Sequence, residues 1–342
     1  MEIISINESD PQCVNVIDAN NVRKGETTIK RLTLLILFLT IGFGLVTCAS
    51  YNPISQDTTR FRTWQDLAYA NGSKSQKLDI YLPKDEQDLS PIIIWIHGGG
   101  WLEGSKDLIG HRFKAIFDKA HDKGYAIVSI GYRLSSEAIF PAQIYDVKAA
   151  IRWIKAHAQE YNLNLNKIAL WGCSAGGHLA ALAGTSGDVK EIEDLGMGSA
   201  NQSSQVQAVV DWFGPIDFLT IDDQLAELGM SGQSKNNHDT ATARLVGGLI
   251  TQKQELVKMA NPMTYITPDD PPFLIQHGSK DNLVPVTQSK VFAQELQSVI
   301  GVDKVTLTIF EGAGHGDYGR SQMFDAPSNI ETIFRFLDKY LK

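Results

Sequence analysis

The stretch KIALWGCSAGGHLAALA, residues 167–183, decides the fold. Lys167 to Trp171 is short and mostly apolar, with Asn166 before it and Gly172 after it, the pattern of a buried strand. Gly176 to Ala183 is rich in Ala and Leu and reads as a helix. Between them lies Gly172-Cys173-Ser174-Ala175-Gly176, a G-x-S-x-G pattern. As a bare pattern it occurs by chance. At a strand-to-helix turn its glycines permit a sharp bend that exposes the serine oxygen, and the helix N-terminus beside it favours a developing anion. Ser174 is therefore the candidate nucleophile.

The same alternation extends outward from this turn. Strand-like runs occupy Lys77–Leu82, Ile92–His97, Tyr125–Ile130, Val206–Trp212, Phe273–His277 and Val305–Phe310. Helical patterns lie at Phe113–Asp122, Pro141–His157, Thr287–Val299 and Asn329–Leu341; in the second, Ile144, Val147, Ile151 and Ile154 recur at spacings of three and four. Near-continuous apolar strands alternating with helices predict an α/β fold, a mostly parallel sheet covered on both faces. Ser186–Ser204 reads as a long surface loop. Asp217–Thr267, with amphipathic pieces around Leu225 and Leu256, reads as a small helical cover over the carboxyl ends of the strands, where ligands of open α/β sheets bind.

A serine hydroxyl needs a base, and the base needs an orienting carboxylate. Asp281, in HGSKDNLVP, follows the Phe273–His277 strand, and His315, in GAGHG, follows Val305–Phe310. Both fall in loops at the carboxyl edge that carries Ser174. Asp217 is the alternative acid. His97, His178 and His277 read as structural, with His178 one helical turn past Ser174. After the strand ending at Ile96 comes His97-Gly98-Gly99-Gly100-Trp101, whose free backbone N–H groups, with that of Ala175, suit an oxyanion hole worth roughly 3 kcal/mol per donor. Trp101, Trp212 and Phe213 flank the site in sequence and are candidates to line a substrate pocket. The histidines are scattered and form no Cys/His cluster, so neither metal nor organic cofactor is expected.

The chain begins differently. Leu32–Cys48, LTLLILFLTIGFGLVTC, is 17 residues without a charge, preceded by Lys30 and Arg31. As a helix it spans about 25 Å against a hydrocarbon core of roughly 30 Å, closer to a signal segment than to a full span. The positive charges before it place the rest of the chain outside the cytoplasm. Leu45-Val46-Thr47-Cys48 resembles a lipobox with Cys48 as the lipidated residue, although Thr47 departs from the usual small residue. An uncleaved anchor and cleavage near Ala49 are the other readings. Residues 1–48 are thus assigned to a signal or anchor, 49–75 to a linker and 76–342 to one catalytic domain. Of 3 Cys, only Cys173 falls in that domain, which therefore holds no disulfide. A net charge of -8, from 31 Lys+Arg against 39 Asp+Glu, argues against nucleic acid as a partner.

Taken together, HGGGW at 97–101, GYRLSSEAIFPAQIYDVKAAIRWI at 131–154, GCSAGGHLA at 172–180, DWFGPIDF at 211–218, HGSKDNLVP at 277–285 and GAGHG at 312–316 resemble serine esterases of the α/β-hydrolase fold. The likeness is greatest to the bacterial feruloyl esterase and acetyl xylan esterase-like group, itself similar to hormone-sensitive lipase-type esterases. Cys173 stands where the lipase-type group often has Asp or Glu. The resemblance implies Ser174 as nucleophile, His315 as general base, Asp281 as its orienter and Gly99, Gly100 and Ala175 as oxyanion donors. It further implies a small ester or an acylated polysaccharide as substrate. A peptidase of prolyl oligopeptidase type and a non-catalytic binding protein on the same scaffold are the competing readings.

Overall fold

The computed structural model describes residues 60–85, 88–108, 113–232, 235–316 and 323–342. The apolar run 32–48, with Cys48, lies outside the described residues. Eight strands form one sheet among them: β1 (Phe61–Ala68), β2 (Lys77–Pro83), β3 (Ser90–Ile96), β4 (Ala126–Ile130), β5 (Leu163–Cys173), β6 (Ala208–Trp212), β7 (Phe273–Gly278) and β8 (Val305–Phe310). Their order is β1-β2-β4-β3-β5-β6-β7-β8. β1, β2 and β4 pair antiparallel, whereas every pair from β4 through β3 to β8 is parallel. The parallel strands at the centre, such as SPIIIWI of β3 and AIVSI of β4, are buried along their whole length because helices cover both faces.

Helices α1 (Lys114–Asp122) and α8 (Pro327–Leu341) pack on one face. On the other lie α2 (Ala142–His157), α3 (Ala175–Thr185) and α7 (Thr287–Ile300). The helical spacing seen in the sequence is the buried stripe: Ile144, Val147, Ile151 and Ile154 of α2 are all buried. α8 starts with Pro327 in its first turn, where a missing N–H costs nothing, and buries Ile330, Ile333, Phe334, Leu337 and Leu341.

Two expectations are corrected. Residues 49–75 are not wholly linker, because β1 pairs with β2 from Phe61↔Pro83 to Ala68↔Lys77. As an edge strand β1 leaves half of its residues exposed, and the register shifts between Trp64 and Leu67, where Asp66 takes φ 56°. The bulge breaks the period of two that would have marked the strand. The loop 186–204 is likewise more than surface. The side chain of its Glu193 is only 5% exposed and pairs with Lys148, at 3.3 Å, and with Arg152, both on α2. Burial pushes the Lys148 ammonium down to about 8, and Glu193 is the carboxylate that compensates the two cations.

The cover forms as three short helices, α4 (Ile221–Glu227), α5 (Ala241–Val246) and α6 (Gln254–Ala260). α4 and α6 bracket Leu225 and Leu256; α5 has too few residues to show a period. Its limits are set instead by Thr240, whose side chain accepts the Ala243 N–H at 3.2 Å, and by Gly247 at φ 70°. α5 reaches the oxyanion-type loop: a Cβ on Gly100 would lie 3.2 Å from Cβ of Ala241. Among the described residues no helix is long and apolar enough to cross a membrane.

Candidate active site

Ser174 sits between β5 and α3 with φ 54° and ψ -121°, a conformation that a residue with a Cβ rarely adopts. The surroundings hold it there. Its N–H donates to the Trp212 carbonyl at 2.8 Å, and its own carbonyl accepts from His178 at 2.9 Å. The flanking glycines are required by close approach: a Cβ on Gly172 would lie 2.2 Å from the Gly176 carbonyl oxygen, and one on Gly176 would lie 2.0 Å from that of Ile96.

The end of β3 is thereby pressed against the turn that carries Ser174, and the 97–101 loop follows it. A Cβ on Gly98 would be 2.7 Å from the Cys173 carbonyl oxygen and 3.4 Å from Cβ of Ser174. Gly99 and Gly100 then turn at φ 111° and 60°, and Gly99 accepts the N–H groups of Leu102 and Glu103. The N–H groups of Gly99, Gly100 and Ala175 donate to no acceptor among the described residues. For Ala175, first residue of α3, no intrahelical acceptor exists.

Asp281 and His315 come to the same point. Oδ2 of Asp281 accepts from Nδ1 of His315 at 2.7 Å, which leaves Nε2 to accept from the Ser174 hydroxyl at 2.9 Å. The loops that carry the two are stitched together: Lys280 N–H donates to the Ala313 carbonyl at 2.8 Å and Gly312 N–H to the Ser279 hydroxyl at 2.9 Å. Asp217, the alternative acid, spends its Oδ1 on the Leu219 N–H in its own turn.

The aromatic residues expected near a substrate are placed otherwise. Trp212 is fully buried on β6, edge-on to Trp171 at 5.0 Å, with Nε1–H donating to Gln276. Its side chain follows the alternation of β6 into the core beneath the sheet and offers no surface to a substrate. Trp101, 2% exposed, packs against His178 and Phe218. Phe213, 1% exposed, lies edge-on to the His315 ring at 4.8 Å. His97 and His178 are structural as expected. His97 donates Nδ1–H to the Gly98 carbonyl at 2.8 Å and stacks on Tyr132; His178 donates Nε2–H to Ala260 at 2.7 Å, tying α3 to the cover. His277 is different: its Nε2 reaches Oδ2 of Asp281 at 3.2 Å. Reading it as a plain strand-end histidine missed this. The four-residue spacing within His277-Gly278-Ser279-Lys280-Asp281 was the available signal.

Comparison with known proteins bears on this arrangement. The BD-FAE family model matches residues 78–296, more than half of the chain. The chain belongs to the BD-FAE family. The match takes in Ser174 and Asp281 and ends before His315, which the geometry supplies. Esterase LipC of Mycobacterium tuberculosis is 34% identical over 244 residues, 71% of this chain and 57% of LipC. The probable carboxylic ester hydrolase LipM of the same organism is 31% identical, over 68% of this chain and 52% of LipM. The chain thus spans a little over half the length of these curated relatives. Among solved structures, a truncated carbohydrate esterase from gut microbiota is 33% identical with a TM-score of 0.72, covering 84% of this chain and 98% of that one. The bifunctional GH43-CE protein of Bacteroides eggerthii is 34% identical with a TM-score of 0.69, over 81% of this chain and 38% of that one. The fold is that of the α/β-hydrolases.

In this BD-FAE family member the site's charge is concentrated on Asp281. Burial alone would push its carboxyl up, but the hydrogen bonds from His277 and His315 outweigh burial and hold it well below the usual carboxylate range. Burial pushes His97 and His178 down to about 4, so both are neutral at neutral pH. Between about pH 4 and 6.5 the unfolded chain then binds more protons than the native one, and stability falls as pH drops through that window. Burial raises Asp211 and Asp270 to about 6, so both take up their protons in the fold and offset part of the loss. From pH 7.5 to 5 each of the two histidines withdraws about 2 kcal/mol. In urea unfolding, wild type is therefore expected to lose about 2 kcal/mol more than His178→Gln over this range. Equal losses in the two proteins would contradict a neutral, buried His178.

Proposed function

We propose that the chain is a serine carboxylic-ester hydrolase acting through Ser174, His315 and Asp281, with a short acyl ester of a carbohydrate as its substrate class. The carrying observation is the continuous relay from Asp281 Oδ2 through His315 to the Ser174 hydroxyl at 2.7 and 2.9 Å. His315 takes the Ser174 proton as Oγ attacks the ester carbonyl, and Asp281 stabilises the imidazolium that forms. The oxyanion develops beside the turn where Gly99, Gly100 and Ala175 offer unengaged N–H groups. His315 then protonates the leaving alcohol, and water repeats the sequence on the acyl-enzyme. The names of LipC and LipM support ester hydrolysis, and the gut carbohydrate esterase supports an acylated sugar.

Burial of Trp101, Trp212 and Phe213 removes the three rings read as candidates to line a substrate pocket, so none of them offers a face to an aromatic acyl group, which favours acetyl over feruloyl. Kinetics on p-nitrophenyl acetate, acetylated xylan and methyl ferulate test this reading. Wild type is expected to prefer the acetyl esters, and Ser174→Ala, His315→Ala and Asp281→Asn are each expected to lose at least about 10³-fold in kcat/KM. Ser174→Ala at wild-type rate would refute the assignment.

We further propose that residues 1–48 export the chain and hold it at a membrane, with Cys48 as the lipidated residue. The support is the uncharged run 32–48, the basic residues before it and the cysteine at its end. Full-length protein is expected in the membrane fraction and Cys48→Ala in the soluble one; identical partitioning of the two would rule out lipidation.

A further inference from the structure

The imidazole of His277 and that of His315 share one carboxylate oxygen. Oδ2 of Asp281 is 2.7 Å from Nδ1 of His315 and 3.2 Å from Nε2 of His277. Its Oδ1 accepts the N–H groups of Leu283 and Val284, each at 2.9 Å. Two oxygens thus receive four donors, and the carboxylate has no rotation left that keeps them all.

His277 also closes the turn that carries Asp281. Nε2 lies 2.8 Å from the Val284 carbonyl, which only accepts, so Nε2 carries the hydrogen and shares it between Val284 and Asp281. On the far side of the ring Nδ1 is 2.6 Å from the hydroxyl of Ser289, in the first turn of α7. With that hydroxyl donating to Nδ1, the neutral Nε2–H tautomer has every polar atom satisfied. His277, Asp281 and Ser289 are buried to within 1% of complete. The ionisable groups that face the imidazole are Asp281, His315 through their shared oxygen, and Asp211 from β6.

We infer that His277, held in one tautomer by Ser289, is the positioning residue of the site: it fixes the Asp281 carboxylate and the 281–284 turn, and through them aims His315 at Ser174. It touches neither substrate nor nucleophile. The inference rests on the hydrolase reading above and extends it to a side chain three hydrogen bonds from Ser174. Its chemical consequence is specific. Removing the His277 donor leaves Asp281 Oδ2 to His315 alone, so the carboxylate stabilises the His315 imidazolium more strongly while its orientation loosens. The acid limb of the pH profile should then rise as kcat falls.

The test uses the full chain and compares His277→Ala, His277→Gln and Ser289→Ala with wild type on p-nitrophenyl acetate. His277→Ala is expected to lose about ten- to a hundredfold in kcat with KM within about twofold. The acid limb of kcat/KM should move up, and the downfield proton resonance of His315 Nδ1–H should shift. His277→Gln keeps an N–H donor and should recover part of the rate. Ser289→Ala removes the tautomer lock without touching the donor and should move kcat, limb and resonance the same way by a smaller amount. It also serves as the test if His277→Ala does not fold. Folded variants with wild-type kcat, or a lower kcat with limb and resonance unmoved, would overturn the positioning role. A wild type that Ser174→Ala matches in rate would instead overturn the hydrolase reading, and the two failures are distinguishable.

Discussion

The site depends on backbone pressed against backbone where β3 and β5 end side by side. Gly176, in the first turn of α3, lies at a distance from the Ile96 carbonyl that admits no Cβ, and Gly98 meets the Cys173 carbonyl in the same way. That contact does two things at once. It forces the chain at Ser174 into a left-handed bend, a conformation that costs of order 1–3 kcal/mol and persists only when its neighbours leave no alternative. It also lays the 97–100 loop along the bend, so the unengaged N–H groups and the serine oxygen come from strands that are neighbours in the sheet.

A second constraint is electrostatic. The carboxylate of Asp281 is buried and kept ionised by donors from its own turn and from two imidazoles. The other buried imidazoles nearby, His97 and His178, are neutral because burial disfavours their charged form and no carboxylate is bonded to them. His315 is thus the histidine that links a carboxylate to the Ser174 hydroxyl. In the proposed reaction a proton leaving Ser174 goes to His315, whose resulting charge Asp281 would stabilise.

The parts legible in the sequence were those with a local signature. Ser174 was marked by glycines at a strand-to-helix turn, Asp281 and His315 by loops at strand ends, and α2 and α8 by a helical period. What escaped depends on which way a side chain faces. Trp212 and Phe213 are adjacent in sequence, yet the pleat of β6 sends Trp212 to Trp171 and the bend at Phe213, φ 44°, turns that ring onto His315. Sequence proximity to the site could not separate them. β1 was hidden by the bulge at Asp66, α5 by its shortness, and the anchoring of the 186–204 loop by the fact that Glu193 meets Lys148 and Arg152 only in three dimensions. His277 lay in plain view four residues before Asp281, but a shared oxygen is a matter of distance.

The central claim is that Ser174 itself carries the acyl group between the two halves of the reaction. The most direct measurement is the intact mass and peptide map of protein quenched in acid during turnover of an acetyl ester. The account predicts an acetyl adduct on the peptide that contains Ser174, present in wild type and absent from Ser174→Ala. An adduct on another residue, or steady turnover with Ser174 unmodified under conditions that trap acyl-enzymes, would contradict it.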